Sequence, residues 1–281
     1  MVTLCTTRKS DHVAYHRIDF NIKDNIRIGV YEQIIFGARD IPMAYMIPVL
    51  PFWSSQHETG DLDNLMIGFD FDVLYDDCGN AEPCRFYGAL LIDEWAPYST
   101  FSEDNRNWFA YQIGYSRYKD KFLFNKDLLF KIEYTRIDPR VYNHRFIINE
   151  PKHHGYNLGF WSGNHSDDFL INLIMLLSDN RYIKFAYEST RFSNANLDQQ
   201  MTDLENQYND DYDCSDGDCY EAINFLEHGY KHRGKLSMTF STALKYGLFF
   251  DLELSSFNTK DLYSKDEFID ITAKIRYNIS K

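Results

Sequence analysis

Residues 235–246 read KLSMTFSTALKY, and the alternation in them is unbroken. Leu236, Met238, Phe240, Thr242, Leu244 and Tyr246 share one side of an extended chain; Lys235, Ser237, Thr239, Ser241, Ala243 and Lys245 share the other. Successive side chains of a strand point to opposite faces, so a period of two predicts a strand with one greasy and one polar side. The rhythm recurs at 266–277, DEFIDITAKIRY, with Ile269, Ile271, Ala273, Ile275 and Tyr277 set against Asp270, Thr272, Lys274 and Arg276. It recurs at 248–255, where Leu248, Phe250, Leu252 and Leu254 oppose Asp251 and Glu253. In 64–76 it sets Leu65, Ile67, Phe69, Phe71 and Val73 against Asp70 and Asp72.

Scanning outward in this way gives about eleven strands and almost no helical periodicity. Many of these segments reach ten residues or more. Strands of soluble sheets usually run to about five or six residues, whereas a tilted bilayer crossing takes about nine to eleven. Alternation by itself also fits a soluble sandwich whose greasy faces meet. Connection lengths decide between the two. Short turns at 23–25, 178–180 and 246–247 alternate with long links at 38–63, 137–166 and 194–232. Such parity belongs to a barrel with one rim of tight periplasmic turns and one of long external loops. The expected fold is therefore all-β, an up-and-down antiparallel transmembrane β-barrel formed by residues 1–281 as a single domain.

The same parity places the first strand's start on the loop side, which leaves an odd count. Single-chain bacterial barrels are even. N-terminal strands and a leader are accordingly expected upstream, with this chain as the C-terminal portion of a larger barrel. The opening MVTLCTTRKSDHV has no apolar leader core, and no run of eighteen apolar residues occurs. A net charge of −13 argues against a nucleic-acid partner. Aromatics make up 17% of the chain, mostly Tyr and Phe, as suits side chains with an apolar body and a wet tip.

Cys78 with Cys84 and Cys214 with Cys219 form two local pairs in polar, turn-rich stretches. Disulfides are the expected state, with free thiols as the alternative; neither spacing matches a zinc knuckle.

EYTRIDPRVYNHR (133–145) and HHGYNLG (153–159) with the following SD (166–167) resemble the Wzi-like capsule assembly family of outer-membrane proteins. YEQIIFG (31–37), AYMIPVLPFW (44–53), DLDNLMIGFDF (61–71) and FYGALLIDEW (86–95) extend the resemblance, in order, over roughly residues 12–195. It implies a large outer-membrane β-barrel that holds capsular polysaccharide in a lectin-like manner, with outer-membrane lipid around it. The closing IRYNISK departs from the family in lacking a C-terminal aromatic.

The carbohydrate-binding candidates are Tyr142, His144, Arg145, His153, His154, Tyr156, Trp161 and Trp53. Aromatic rings can stack on sugar C–H faces, while Arg, His and Asn donate to hydroxyls. A packed polar loop is the competing reading of 133–168, and packing is the favoured role of Tyr45, Phe52 and Trp53 in the proline-broken 44–53. No metal site is expected, because adjacent His153 and His154 point apart on an extended chain. Asp93 and Glu94 point apart likewise, so they cannot flank one glycosidic bond and no enzyme is expected. Asp93 is instead expected to pair with Arg17, Arg117 or Arg136. The acidic loop 197–219 fails the register of a calcium loop, which leaves other Ca2+ binding open and no cofactor required. The alternative to polysaccharide retention is an outer-membrane channel for small solutes.

Overall fold

The computed structural model describes residues 3–6, 12–37, 40–58, 60, 62–95, 107–144, 146–153, 156–194, 223–227, 229–244, 248–261 and 263–277. Cys214, Cys219, Arg145, His154 and the acidic stretch 197–219 lie outside the described residues. One antiparallel sheet dominates. Its strands are β1 (Thr3–Thr6), β2 (His12–Lys23), β3 (Ile26–Phe36), β4 (Asn64–Tyr75), β5 (Cys84–Glu94), β6 (Trp108–Leu123) and β7 (Lys126–Ile137). After a two-stranded hairpin, β8 (Lys152–His153) and β9 (Tyr156–Asn157), the sheet resumes. Its second half is β10 (Ser166–Ser178), β11 (Arg181–Ser193), β12 (Tyr230–Ala243), β13 (Leu248–Lys260) and β14 (Lys265–Tyr277). The order across the sheet is the order along the chain, an up-and-down meander with β1 and β14 at its edges. Eleven of the twelve strands are at least eleven residues long.

Register confirms that the alternation is coherent between strands. Val30 pairs with Phe69, Phe69 with Leu90, Phe240 with Leu252 and Leu254 with Ile271, so the greasy side chains of neighbours share a face. On that apolar face Ile18, Phe20, Phe69, Phe185, Leu236, Leu252, Ile269 and Ile271 are all exposed, Ile271 to 70%. Among the described residues nothing packs over them. A sandwich would have buried this face.

The opposite face carries a ladder of ion pairs. Arg17 binds Asp70 at 2.6 Å and also Asp19; Arg85 binds Asp72 at 2.7 Å; Lys131 binds Glu133 at 2.8 Å; Lys235 binds Glu253 at 3.0 Å. Glycines on the same face make room for its aromatics. The Tyr31 ring lies over Gly68 and the Tyr87 ring over Gly114, where a Cβ would collide with it. Tyr87 then donates its hydroxyl to Glu133.

The connections sort onto two rims. The chain turns back between residues 23 and 26, 75 and 84, 123 and 126, 178 and 181, and 243 and 248 at one rim, and between 36 and 64, 94 and 108, 137 and 166, 193 and 230, and 260 and 265 at the other. Two links break the expected contrast of length: 76–83 is long for its rim, and 261–264 is short for the other. Phe124 and Asn125 both adopt positive φ, 52° and 59°, as a two-residue hairpin turn matched to strand twist requires. Cys78 and Cys84 are disulfide-bonded across the turn 76–83, their Cα atoms 5.9 Å apart. Glu82 in that turn receives Arg117 at 2.9 Å and Lys119 at 3.1 Å.

The expected strand ends shift at this second, loop-bearing rim. The strand read at 235–246 runs Tyr230–Ala243, and that read at 248–255 runs Leu248–Lys260. Ladder pairing continues there from Tyr230 with Ser193 and from Lys260 with His232, although the greasy alternation has stopped.

Candidate functional site

The loop rim is clad on both faces of the sheet. On the apolar face, the segment 41–58 forms a 3-10 turn (Met43–Met46) and helix α1 (Phe52–Glu58). Tyr45 and Phe52 bury completely against Ala14, Ile34 and Phe36, with Ile41 and Leu65 alongside. Glu32 receives the Phe52 backbone N–H at 2.7 Å, and Tyr45 donates its hydroxyl to Asp63 at 2.5 Å. Prolines keep this segment out of the sheet, and Tyr45 and Phe52 pack instead; Trp53, expected to pack with them, is exposed.

On the polar face, 138–165 folds back over the sheet. Val141 and Tyr142 bury against Ile35, Met66, Ala110 and Ile137, with Val13, Leu91, Trp108 and Phe160 around them. The Tyr142 hydroxyl accepts the Phe160 N–H at 3.2 Å, and its ring lies where a Cβ on Gly159 would stand. Burial raises the Tyr142 phenol and the Asp138 carboxyl above their ordinary values. Asn143 donates to buried Glu150 at 3.1 Å, and Asn164 donates to Asn143. Asn64 donates to the Asn149 carbonyl at 3.1 Å, and Asn149 to the Leu62 carbonyl at 2.8 Å. A short segment with this many side-chain bonds to fixed backbone is an ordered cover.

Asp93 belongs to this cover and not to an arginine pair. Its carboxylate accepts the Tyr142 backbone N–H at 2.7 Å. The three expected arginines are engaged elsewhere, Arg17 with Asp70, Arg117 with Glu82 and Arg136 with Asp138. The physical reason is position. An irregularity between Ile92 and Glu94 puts Asp93 at the rim, under the returning loop.

The candidate residues separate by exposure. Tyr142 is buried and holds the cover in place. His144 is half-buried, its ring 5.7 Å from that of Phe146. His153 enters the β8–β9 hairpin, and Tyr156 on the partner strand is exposed. Trp53 is exposed beside His57 in α1, on the apolar-face side. Trp161 is half exposed and meets polar-face groups, the Phe192 ring edge-on at 5.8 Å and the Arg233 guanidinium at 5.1 Å. The sheet thus separates Trp53 from Trp161.

Trp161 heads a patch that the strand reading passed over. Arg233 also lies 5.6 Å from the Phe257 ring, and Phe257 stacks on Phe268 at 4.7 Å with the planes 13° apart. Arg233 reaches Glu188 at 3.6 Å. Flat rings, those of Trp161 and Phe268 exposed and that of Phe257 half-buried, beside a guanidinium and a carboxylate can hold a sugar's C–H face and its hydroxyls together. A signal was present: Phe257 and Phe268 sit in the polar phase of their strands, directly opposite each other.

No model of a known protein family matches the chain, and no curated protein matches it. A solved structure does. It is Wzi, an outer-membrane protein involved in group 1 capsule assembly in Escherichia coli and described as a carbohydrate-binding β-barrel. The two superpose with a TM-score of 0.62 at 14% identity, over 98% of this chain and 54% of the other. The chain therefore spans about half the length of that neighbour, and its fold is Wzi-like.

Proposed function

We propose that the chain forms the wall of a β-barrel in a bacterial outer membrane and binds or retains capsular or other surface polysaccharide without covalent chemistry. The observation that carries this reading is the exposed apolar face. A continuous band of Ile, Leu and Phe side chains on long strands suits lipid, and the ion-paired opposite face suits water. Polysaccharide is favoured as the partner by the Trp161–Arg233–Phe257–Phe268 patch on the polar face and by the description of the structural neighbour.

The ion-paired face would equally suit a solute channel. The cover formed by 138–165, with Val141 and Tyr142 buried under it, favours retention over passage.

The test is titration of the chain in detergent micelles with purified capsular polysaccharide. Binding is expected without release of shorter oligosaccharides. Trp161→Ala should weaken it about tenfold, roughly 1.4 kcal/mol. Absence of binding, or appearance of cleavage products, would overturn the proposal.

A further inference from the structure

A hollow of about 310 Å³ opens in the polar face of β10–β13, immediately beyond the Trp161–Arg233 patch. Its cause is a row of small side chains. Ala186 and Ser237 pair across β11 and β12, next to Asn172 on β10, and leave space that longer neighbours wall in. Glu188 and Lys235 stand on one side; Lys184, Thr239 and Glu253 stand on the other. Lys235 joins hollow to patch, since its ammonium lies 5.3 Å from the Phe257 ring.

We infer that this hollow receives one carboxylated sugar unit of the bound polysaccharide, a uronic acid, with Lys184 meeting the carboxylate. The inference rests on the polysaccharide reading above and names the ligand class for it. Three observations carry it. The volume is at the lower end of small-molecule sites, which begin at roughly 300 Å³, as suits a single ring. The charges are unevenly matched: Glu188 is held by Arg233 and Glu253 by Lys235, whereas Lys184 has no carboxylate partner among the described residues. The Asn172 Oδ1 is buried with no hydrogen-bond partner, although it lines the hollow.

An orphan acceptor beside two carboxylates and two hydroxyls calls for a ligand with O–H donors, and an unmatched ammonium calls for an anion. A uronic acid has both. A phosphate or sulfate offers the charge without enough donors, and a neutral hexose offers donors without the charge. The adjoining unit of the chain would then lie on the rings of Trp161, Phe257 and Phe268.

The experiment uses the whole chain in micelles on a glycan array that carries acidic bacterial oligosaccharides beside their carboxyl-reduced counterparts. The acidic member of a pair should bind about tenfold more tightly, the scale of one charge-assisted contact. Lys184→Gln should erase that preference, and Lys184→Arg should keep it. Ala186→Phe, which fills the hollow, should weaken both members about tenfold. Binding without acidic preference, or a preference that survives Lys184→Gln, overturns this inference alone. No binding to any member overturns the polysaccharide reading beneath it.

Discussion

At the scale of single residues, the glycines report most directly on how the polar face is packed. Tyr87 can lie flat along the sheet only because Gly114 has no side chain, and that pose lets its hydroxyl reach Glu133. Gly114→Val should therefore force the ring off and cost about 1–3 kcal/mol. Gly234 is a contrast. The nearest atoms to a Cβ there are 3.7 and 3.8 Å away, ordinary contact distances, so Gly234→Ala should stay within about 0.5 kcal/mol. Urea unfolding from lipid vesicles would compare the two, and equal losses would contradict this packing. Gly114 does not stand out in the sequence, because the ring that needs its space belongs to another strand.

At the scale of elements, the strands were legible and their ends were not. The alternation in 235–246 reports where side chains meet two different media, and it ceases where the apolar band ceases. The ladder runs on to Tyr230 because backbone pairing with Ser193 does not depend on hydrophobicity. The band makes a prediction of its own. Phe240→Arg, on the apolar face, should cost about 2–4 kcal/mol in lipid. Thr239→Arg, its neighbour on the polar face, should cost less than about 1 kcal/mol. Gel-shift folding assays in vesicles measure both. A harmless Phe240→Arg would mean that this face meets water.

At the scale of the whole molecule, the rims differ in kind. One is closed by short turns and the disulfide-bonded 76–83; the other carries 41–58 on the apolar face and 138–165 on the polar face. The fold likeness to a barrel covers nearly the full chain, which makes the polar face the lining of a barrel in this reading. If 138–165 is what blocks that lining, replacing 141–163 by a short Gly-Ser linker should raise conductance in planar bilayers several-fold over the intact chain. An intact chain that conducts as well as the shortened one would return the channel reading to first place.

The sequence alone determined the all-β meander, the two chemically distinct faces and the contrast between rims, because each is written in the spacing of neighbours along one strand or in the length of one link. It also placed Tyr45 and Phe52 as packing residues, since prolines bar 44–53 from a central strand, but it expected the same of Trp53, which is exposed. Only the tertiary structure put Trp161 with Arg233, Phe257 and Phe268, set Trp53 on the other side of the sheet, gave Asp93 to the Tyr142 N–H and opened the hollow beside Lys184. These depend on register between strands far apart in the chain and on where a long loop returns. Period and composition carry no information about either.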